Sequence, residues 1–155
     1  MYLFHDNELH NVEVFMCSMN LCMNHWAILV AAIVFWVLGS VWFSVLFKQA
    51  WQSGQAKLGI KFQKPSSSEM KKKYVASFLL NVVQVWGMAA IIAGFQIMAV
   101  QPAICIGLLV GVCFAGASMA CKGLWESHDF KLICIDAGYP IVGFIISAII
   151  LALWQ

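Results

Sequence analysis

The stretch LICIDAGYPIVGFIISAIILALW, residues 132–154, decides the fold of this chain. It is long and apolar enough to cross a bilayer core of roughly 30 Å, which requires about 20 helical residues. Its single charged residue is Asp136, which is also the only acidic residue inside any long apolar stretch of the sequence. Asp136 is therefore the one position where ionisable chemistry is expected within a membrane.

Apolar residues dominate the rest of the sequence as well. Of 155 residues, 63% are hydrophobic and only 10% are charged, a composition typical of a protein whose solvent is lipid. Three further stretches are long and apolar enough to span a bilayer, namely residues 26–47, 74–100 and 103–121. The sequence predicts an all-α, polytopic integral membrane protein, with a four-transmembrane-helix bundle over residues 23–155.

The charges predict how the bundle is oriented. All nine basic residues are lysines; seven lie between the first and second apolar stretches, and Lys122 and Lys131 flank the loop between the third and fourth. Residues 1–25 contain three acidic residues and no lysine. By the positive-inside rule both lysine-bearing loops are cytoplasmic, so both termini lie outside. The predicted location is the cell membrane, which in a bacterium is the cytoplasmic or inner membrane.

Residues 1–22 form an N-terminal extracytoplasmic extension in this topology. They lack the basic region and the small-residue cleavage site of a signal peptide. Two interpretations remain open: a short amphipathic helix at the outer interface, or an upstream extension with little role of its own.

The six cysteines and four histidines do not form a metal or redox motif. There is no Cys-x-x-Cys, and Cys105, Cys113 and Cys121 recur every eight residues in one apolar stretch, where cysteine acts as a small hydrophobe. Cys17 and Cys22, in the predicted external segment, are the only two cysteines that could oxidise. We expect no metal, no cofactor and no nucleic-acid partner.

Small residues predict where helices approach one another closely. They share one face near the end of the first stretch and recur at four-residue intervals in the third. These residues are Gly39 and Ser40 in the first stretch, and Gly107, Gly111 and Ala115 in the third. Such a pattern serves packing within one bundle and homo-oligomerisation equally well.

Tryptophans at the ends of the apolar stretches predict interfacial anchors. These are Trp26, Trp51 and Trp154. The aromatic-rich first stretch is accordingly interpreted as anchors plus a packing groove, in preference to a ligand-stacking box.

A polar cluster is predicted around Asp136. Ser77, Asn81 and Gln84 are spaced i, i+4 and i+7, which places them on one helical face. Polar amides in lipid need partners, so this face should point into the bundle. Asp136 and Tyr139 lie at a similar depth below the lysine-bearing loops. The five side chains are therefore expected to meet.

The last helix is predicted to be kinked near this cluster. If the helix began only at Pro140, the residues after it would be too few to span a bilayer. Pro140 is thus expected inside the helix, where it leaves the carbonyl of Asp136 without its usual partner. Gly138 loosens the same turn.

Several blocks resemble a known family. They are NHWAILVAA at residues 24–32, LGSVWFS at 38–44, FKQAW at 47–51, Lys131-Leu132, and DAGY at 136–139. Together they resemble the family of bacterial and fungal membrane proteins called domain of unknown function 1761, over about residues 23–154. The resemblance implies a four-helix membrane protein and supplies no activity. The family's block Asn-x-Gly-Tyr-His departs here to Asp136 and Pro140 at its outer positions, so no role for a histidine is carried over.

Three functional hypotheses follow. The first is a structural or accessory bundle that contacts membrane lipid and associates with itself or with a larger membrane complex, with Asp136 held by hydrogen bonds. The second is a small proton- or cation-coupled transporter that uses Asp136. The third is an intramembrane enzyme or a lipid-binding protein. The sequence favours the first and does not predict an enzyme, since paired haem histidines and a di-metal carboxylate set are both missing.

Overall fold

A computed structural model describes residues 23–58 and 67–154, and within these ranges the chain forms helices and no strand. Four helices are long and apolar enough to cross a membrane. The first to fourth spans are His25–Leu46, Ser67–Gly94, Val100–Trp125 and Phe130–Leu153. The prediction of an all-α protein with four membrane-spanning helices is confirmed. The predicted extension at residues 1–22, including Cys17 and Cys22, lies outside the described residues.

The described residues form six α-helices and two π-helical turns. In chain order they are α1 (His25–Val41), a π turn (Trp42–Leu46), α2 (Lys48–Lys57), α3 (Ser67–Gly94), α4 (Val100–Val110), a second π turn (Gly111–Gly116), α5 (Ala117–Trp125) and α6 (Phe130–Leu153). Asn24 caps α1, since its Oδ1 accepts a hydrogen bond from the backbone N–H of Trp26 at 3.0 Å. We call the end of the bundle that carries α2, Lys122 and Lys131 the lysine end.

The fourth span is the centre of the bundle. Its helix α6 packs against the helices of all three other spans. The largest fully buried side chains come from the first, second and fourth spans; they are Phe35, Met88, Ile92, Leu132, Val85 and Ser147. The core therefore lies among these three spans, and the third span packs against the fourth from outside.

Two glycines set the approach of the third span to the fourth. A Cβ on Gly107 would lie 2.7 Å from the Cα of Ile145, and one on Gly111 would lie 2.8 Å from the Cα of Ile141. Only a glycine surface allows the two backbones to come this close. Gly107 and Gly111 are thus used for packing within the bundle.

The third member of that small-residue series is Gly116 and not the predicted Ala115. Gly111 and Gly116 belong to one π turn, in which hydrogen bonds run from i to i+5. The wider turn brings Gly116 back to Ile141, whose Cδ1 would lie 3.0 Å from a Cβ at that position. Ala115 is only partly buried, because a strict four-residue repeat holds for an α-helix alone.

The small face of the first span does not receive a helix backbone, contrary to the prediction for Gly39 and Ser40. A Cβ on Gly39 would lie 3.0 Å from the ring of Tyr139, so an aromatic side chain fills this place. Ser40 donates a hydrogen bond to the carbonyl of Trp36 at 3.3 Å and lines a cavity. A tyrosine ring keeps the two helices further apart than a glycine–backbone contact would.

The boundary between the second and third spans also differs from the sequence prediction. The second span ends at Gly94 and the third begins at Val100, whereas residues 74–100 were expected to form one helix. Gln96 adopts a φ of 51°, which turns the chain out of the helix. Pro102 lies in the first turn of α4, where its missing N–H costs no intrahelical bond.

Pro140 lies inside α6, as the sequence predicts. The helix is continuous from Phe130 to Leu153. Pro140 cannot donate to the carbonyl four residues earlier, which belongs to Asp136. A kink at Gly138 and Pro140 stays a prediction.

Trp26 and Trp154 mark the end of the bundle opposite the lysines. Their side chains are 71% and 46% exposed, and their role as interfacial anchors stays a prediction. Trp154 lines a small cavity together with Met23, so the first span begins where the fourth span ends. Residues 23 and 154 therefore lie at the same end of the bundle.

Candidate functional site

The polar side chains expected to form one cluster are divided into two neighbouring groups. Asn81 and Tyr139 form one group between the second and fourth spans. Asp136 belongs to a second group, with side chains from α2 and from the turn before α6. The division arises because Asp136 and Tyr139, three residues apart on α6, are bonded to different neighbours.

The first group is a hydrogen-bonded pair surrounded by aromatic rings. The amide Nδ2 of Asn81 donates to the Tyr139 hydroxyl at 3.3 Å, and the hydroxyl lies 3.4 Å from Asn81 Oδ1. The Tyr139 ring lies 5.3 Å from the ring of Phe35 and 5.6 Å from that of Phe43, centroid to centroid. Asn81 is one of two buried polar residues in the described part of the chain, and this pairing satisfies it.

Ser77 bonds to the first span instead of joining that pair. Its hydroxyl accepts a hydrogen bond from the indole N–H of Trp36 at 3.1 Å and donates to the carbonyl of Tyr74 at 2.9 Å. Trp36 belongs to the aromatic-rich first stretch, which was interpreted from the sequence as anchors plus a packing groove. The signal that could have identified its partner is the matching depth of a tryptophan on one span and a serine on the next.

Gln84 does not belong to either group, and its predicted place in the cluster is wrong. Its side chain is exposed on the outer surface of the bundle. At about 100° per residue, position 84 is rotated by about 60° from Asn81, away from the buried Val85 and Ile92. An i+7 position counted from Ser77 therefore reaches the edge of the face and not its centre.

The second group joins Asp136 to a tryptophan that had been interpreted as an anchor. The indole N–H of Trp51 donates to Asp136 Oδ1 at 3.1 Å. Trp51 is therefore a partner of the intramembrane acid and not a free interfacial anchor. It reaches Asp136 because α2 folds back over the start of α6, where Gly54 packs on Leu132.

A second tryptophan, in the π turn before α2, contacts the same turn of α6. The indole N–H of Trp42 donates to the carbonyl of Ile135 at 3.0 Å, and its ring lies against Gly138, where a Cβ would be 3.1 Å away. Trp42 and Trp51 thus each donate a hydrogen bond to the turn around Asp136. Neither hydrogen bond was predicted, because tryptophan N–H groups carry no signal of their partner in a sequence.

His128 completes the second group. Its Nε2 lies 3.2 Å from a carboxylate oxygen of Glu126, and its Nδ1 lies 3.9 Å from Asp136 Oδ2. The imidazole is only 11% exposed, and Nδ1 is buried with no hydrogen-bond partner among the described residues. No role was predicted for His128 from the sequence. Its position in the turn immediately before α6 was the available signal.

Two cavities adjoin these groups. One of about 340 Å³ lies between the first and second spans and is lined by Trp36, Ser40, Asn81 and Tyr139, among others. A larger one of about 800 Å³ opens at the lysine end. Its polar and charged lining consists of Trp51, Gln55, Lys73, Tyr74, Ser77, Lys122, Glu126, His128 and Asp136. Phe43, Tyr74 and Ser77 line both cavities, which therefore adjoin each other.

No group of three or more histidine, cysteine or acidic side chains in residues 23–58 and 67–154 is arranged to hold a metal ion. The cysteines of the third and fourth spans, Cys105, Cys113, Cys121 and Cys134, are free and exposed. The arrangement can therefore hold hydrogen-bonding or charged groups, and it offers no described metal centre.

Comparison with known proteins identifies the family. A family model described as "Protein of unknown function (DUF1761)" matches residues 26–152. No curated protein and no solved structure matches the chain. The match includes all four spans, α2 and both polar groups, apart from the terminal residues of the first and fourth spans.

Proposed function

The chain belongs to the DUF1761 family of proteins of unknown function, and from this premise we propose that it is a structural or accessory bundle of the cell membrane. In this function Asp136 fixes α2 against the fourth span. The lysine end faces the cytoplasm, and the ends of the described chain at residues 23 and 154 face outward.

The hydrogen bond from Trp51 to Asp136 carries the proposal. It joins α2 to the start of the turn that contains Gly138 and Pro140. A charged acceptor makes this bond stronger than a neutral one, and in an apolar setting an unpaired partner is costly. An acid with a structural partner of this kind has a sufficient reason to lie inside the membrane.

The opposite half of the bundle supports a structural role over transport. Between the spans it is filled by Ala27, Ala31, Met88 and Ile92, all nearly inaccessible. In the described part of the chain, Ser147 is the only buried polar side chain in that half. A proton or cation that reached Asp136 would meet an apolar barrier, because charged groups need polar partners to cross lipid.

Stability measurements on two Asp136 variants test the proposal. Asp136→Asn keeps an acceptor for Trp51 and should change the free energy of unfolding by less than about 1 kcal/mol, whereas Asp136→Ala should lose roughly 1–3 kcal/mol. The variants are compared by thermal unfolding of the purified full chain in one detergent. Equal stability of Asp136→Ala and the wild type would exclude the structural role.

Proton- or cation-coupled transport is the second candidate, favoured by the approach of His128 to Asp136 beside an open cavity. The same Asp136→Asn variant separates the two functions. In proteoliposomes with a pH-sensitive dye inside, a transporter would lose proton flux in this variant although it remains folded. Equal proton flux in liposomes with the wild type, with the variant and without protein would reject transport, and the structural function would remain.

Assembly with itself or with a larger membrane partner belongs to the proposal as well. Gly107 and Gly111 already pack within the chain, so an interface would use lipid-facing side chains. On the second span these include Leu79, Leu80, Val83 and Trp86, all exposed. Light scattering of the detergent-purified protein tests self-assembly, and copurification from membranes tests a partner. A strict monomer without a partner would contradict both.

Reporter insertions test the proposed orientation. One reporter is inserted in the segment 59–66 and another is fused after residue 154. We expect the first in the cytoplasm and the second outside. The same compartment for both would overturn the orientation.

A further inference from the structure

We propose that the cavity of about 800 Å³ at the lysine end binds the head group of a zwitterionic lipid with a primary ammonium, of the phosphatidylethanolamine type. The ammonium lies between Asp136 and His128, and the phosphate lies between Lys73 and Lys122. This binding site is additional to the structural role of Asp136, because the two roles use different carboxylate oxygens.

The ammonium position follows from two hydrogen-bond acceptors that face each other. Asp136 Oδ1 already accepts from Trp51, while Oδ2 lies 3.9 Å from Nδ1 of His128. His128 Nε2 lies 3.2 Å from a Glu126 carboxylate oxygen, so a proton on Nε2 would face an acceptor. In the neutral imidazole Nδ1 is then a lone-pair acceptor, and it is buried with no hydrogen-bond partner among the described residues.

The gap between these two acceptors leaves both free to accept from a donor outside the chain. A separation of 3.9 Å is longer than a hydrogen bond, so the two groups do not satisfy each other directly. A primary ammonium has three N–H donors and can bridge two acceptors at once. The rings of Phe43 and Trp51, with centroids 5.5 Å apart, line the same cavity and offer cation–π contacts.

The phosphate position follows from the two lysines that line the same cavity. Lys73 comes from the first turns of α3 and Lys122 from α5. Their ammonium groups are point charges suited to a phosphate. Lys122 also lies 3.7 Å from Glu126, an exposed pair that contributes little by itself.

The balance of charges favours a zwitterion over an anion. Two lysines and two carboxylates, Asp136 and Glu126, line one cavity. An anionic head group would meet the lysines but would place the carboxylates against its own charge. A quaternary ammonium would match the charges but has no N–H for Asp136 and His128. The arrangement therefore selects phosphatidylethanolamine over both phosphatidylglycerol and phosphatidylcholine.

The adjoining cavity gives the lipid a path for an acyl chain. Phe43 and Tyr74 line both cavities, and the smaller one runs between the first and second spans toward Tyr139. Gly39 and Ser40 line the smaller cavity, and their small side chains leave room for an acyl chain. A head group at the lysine end with a chain along this seam matches the depth expected of a membrane lipid.

Binding is tested on the full chain in detergent by native mass spectrometry during lipid titration. The probes are phosphatidylethanolamine, phosphatidylcholine and phosphatidylglycerol with identical acyl chains, together with free phosphoethanolamine. We expect phosphatidylethanolamine to bind at least about 10-fold more tightly than the other two lipids, because each of them loses hydrogen bonds to charged groups. Equal affinity for the three lipids would overturn the proposal. Free phosphoethanolamine that binds as tightly as the lipid would overturn the assignment to a lipid.

Two variants separate the head-group contacts from the fold. Lys73→Gln should weaken phosphatidylethanolamine and phosphatidylcholine equally, by several-fold, because both carry the phosphate. His128→Phe should weaken phosphatidylethanolamine and leave phosphatidylcholine unchanged, because only the former donates N–H bonds. Lys71→Gln, at an exposed lysine of the same helix outside the cavity lining, is the matched control.

These variants leave the Trp51–Asp136 hydrogen bond in place. Failure of lipid selectivity is therefore distinguishable from failure of the structural function. If Lys71→Gln reduced binding as much as Lys73→Gln, general attraction to the lysines would explain the result and the site would be rejected. If His128→Phe left lipid selectivity intact, the ammonium position would be wrong.

Discussion

The two ends of the bundle are built on different principles. At the end opposite the lysines, apolar side chains pack between the first, second and fourth spans, and the cavity near Met23 and Trp154 is only about 20 Å³. An open, mostly apolar groove of about 560 Å³ lies beside Pro102 and Cys105 at the same end. At the lysine end, tryptophan N–H groups meet carbonyl and carboxylate oxygens, and a cavity of about 800 Å³ remains open. Apolar side-chain packing stabilises one end, and hydrogen bonds between side chains and backbone or carboxylate oxygens stabilise the other. Binding of polar or charged groups by the described chain is therefore expected at the lysine end.

The largest loss of stability is expected at the close contact between the third and fourth spans, in the half of the bundle opposite the lysines. Gly107→Ala would place a Cβ 2.7 Å from the Cα of Ile145 and 2.9 Å from the carbonyl oxygen of Phe144. Because backbone atoms of the central helix cannot move aside, the third span must shift, at an expected cost of about 3 kcal/mol. Thermal unfolding in detergent, followed by circular dichroism, measures the loss.

Gly87→Ala is the matched control for this substitution. A Cβ on Gly87 meets nothing within 4 Å. The variant should be neutral or more stable by roughly 0.5–1 kcal/mol, because alanine favours the helix. If the two alanine variants unfolded at the same temperature, the close approach of the third and fourth spans would be wrong.

A smaller effect is expected from the central hydrogen bond of the lysine end. Trp51→Phe keeps an aromatic ring but removes the donor to Asp136 Oδ1. The carboxylate then loses a partner, and we expect a loss of about 1–3 kcal/mol. Trp26→Phe, at a 71% exposed position of the opposite end, should change stability by less than about 0.5 kcal/mol.

Unfolding of both tryptophan variants is measured against the wild type in the same detergent. The far-ultraviolet signal is used, since removing a tryptophan changes the fluorescence directly. Equal losses in the two variants would show that tryptophans act alike at both ends. The contrast between the two ends would then fail.

The four spans could be predicted from the sequence because their cause is a property of the sequence alone. A helix must be long and apolar to cross lipid, and lysines are sorted by side. The Asn81–Tyr139 pair could also be anticipated, since a buried amide requires a partner at its own depth. Orientation follows the same lysine rule and stays a prediction.

The predictions that were wrong depend on three-dimensional geometry that cannot be derived from the sequence. Gln84 was assigned to the polar face because a seven-residue spacing from Ser77 is close to two helical turns, but Gln84 is rotated by about 60° from the buried Asn81. Gly116 takes the packing position that was predicted for Ala115, because a π turn changes the helical period from the four-residue repeat assumed for an α-helix. Trp51 was taken for an anchor because nothing in a sequence reveals that α2 folds back onto α6.

A third comparison uses the same substitution at both ends. Ser77→Ala removes the acceptor for the Trp36 indole at the lysine end and should cost about 1 kcal/mol. Ser147→Ala removes a fully buried hydroxyl that has no hydrogen-bond partner among the described residues. Its loss should leave the protein as stable as before, or more stable by up to about 1 kcal/mol.

Opposite signs for the two serine variants would establish that hydrogen bonds stabilise the lysine end and not its counterpart. The measurement is the midpoint of unfolding in a denaturing detergent titrated against a mild one. A loss in Ser147→Ala equal to that in Ser77→Ala would mean that a polar contact also supports the opposite half. The apolar barrier invoked against transport would then need revision.

The smallest effect is expected from the ion pair between α2 and the turn before α6. Lys57 Nζ lies 2.5 Å from Asp129 Oδ2, but both side chains are more than half exposed. Solvent screens such a pair, so Lys57→Gln should lower stability by less than about 1 kcal/mol, and the difference should vanish in high salt. Lys48→Gln on the same helix, which has no acidic partner among the described residues, is the control. If Lys57→Gln cost as much as Trp51→Phe, surface charge and not the intramembrane hydrogen bond would hold α2 in place.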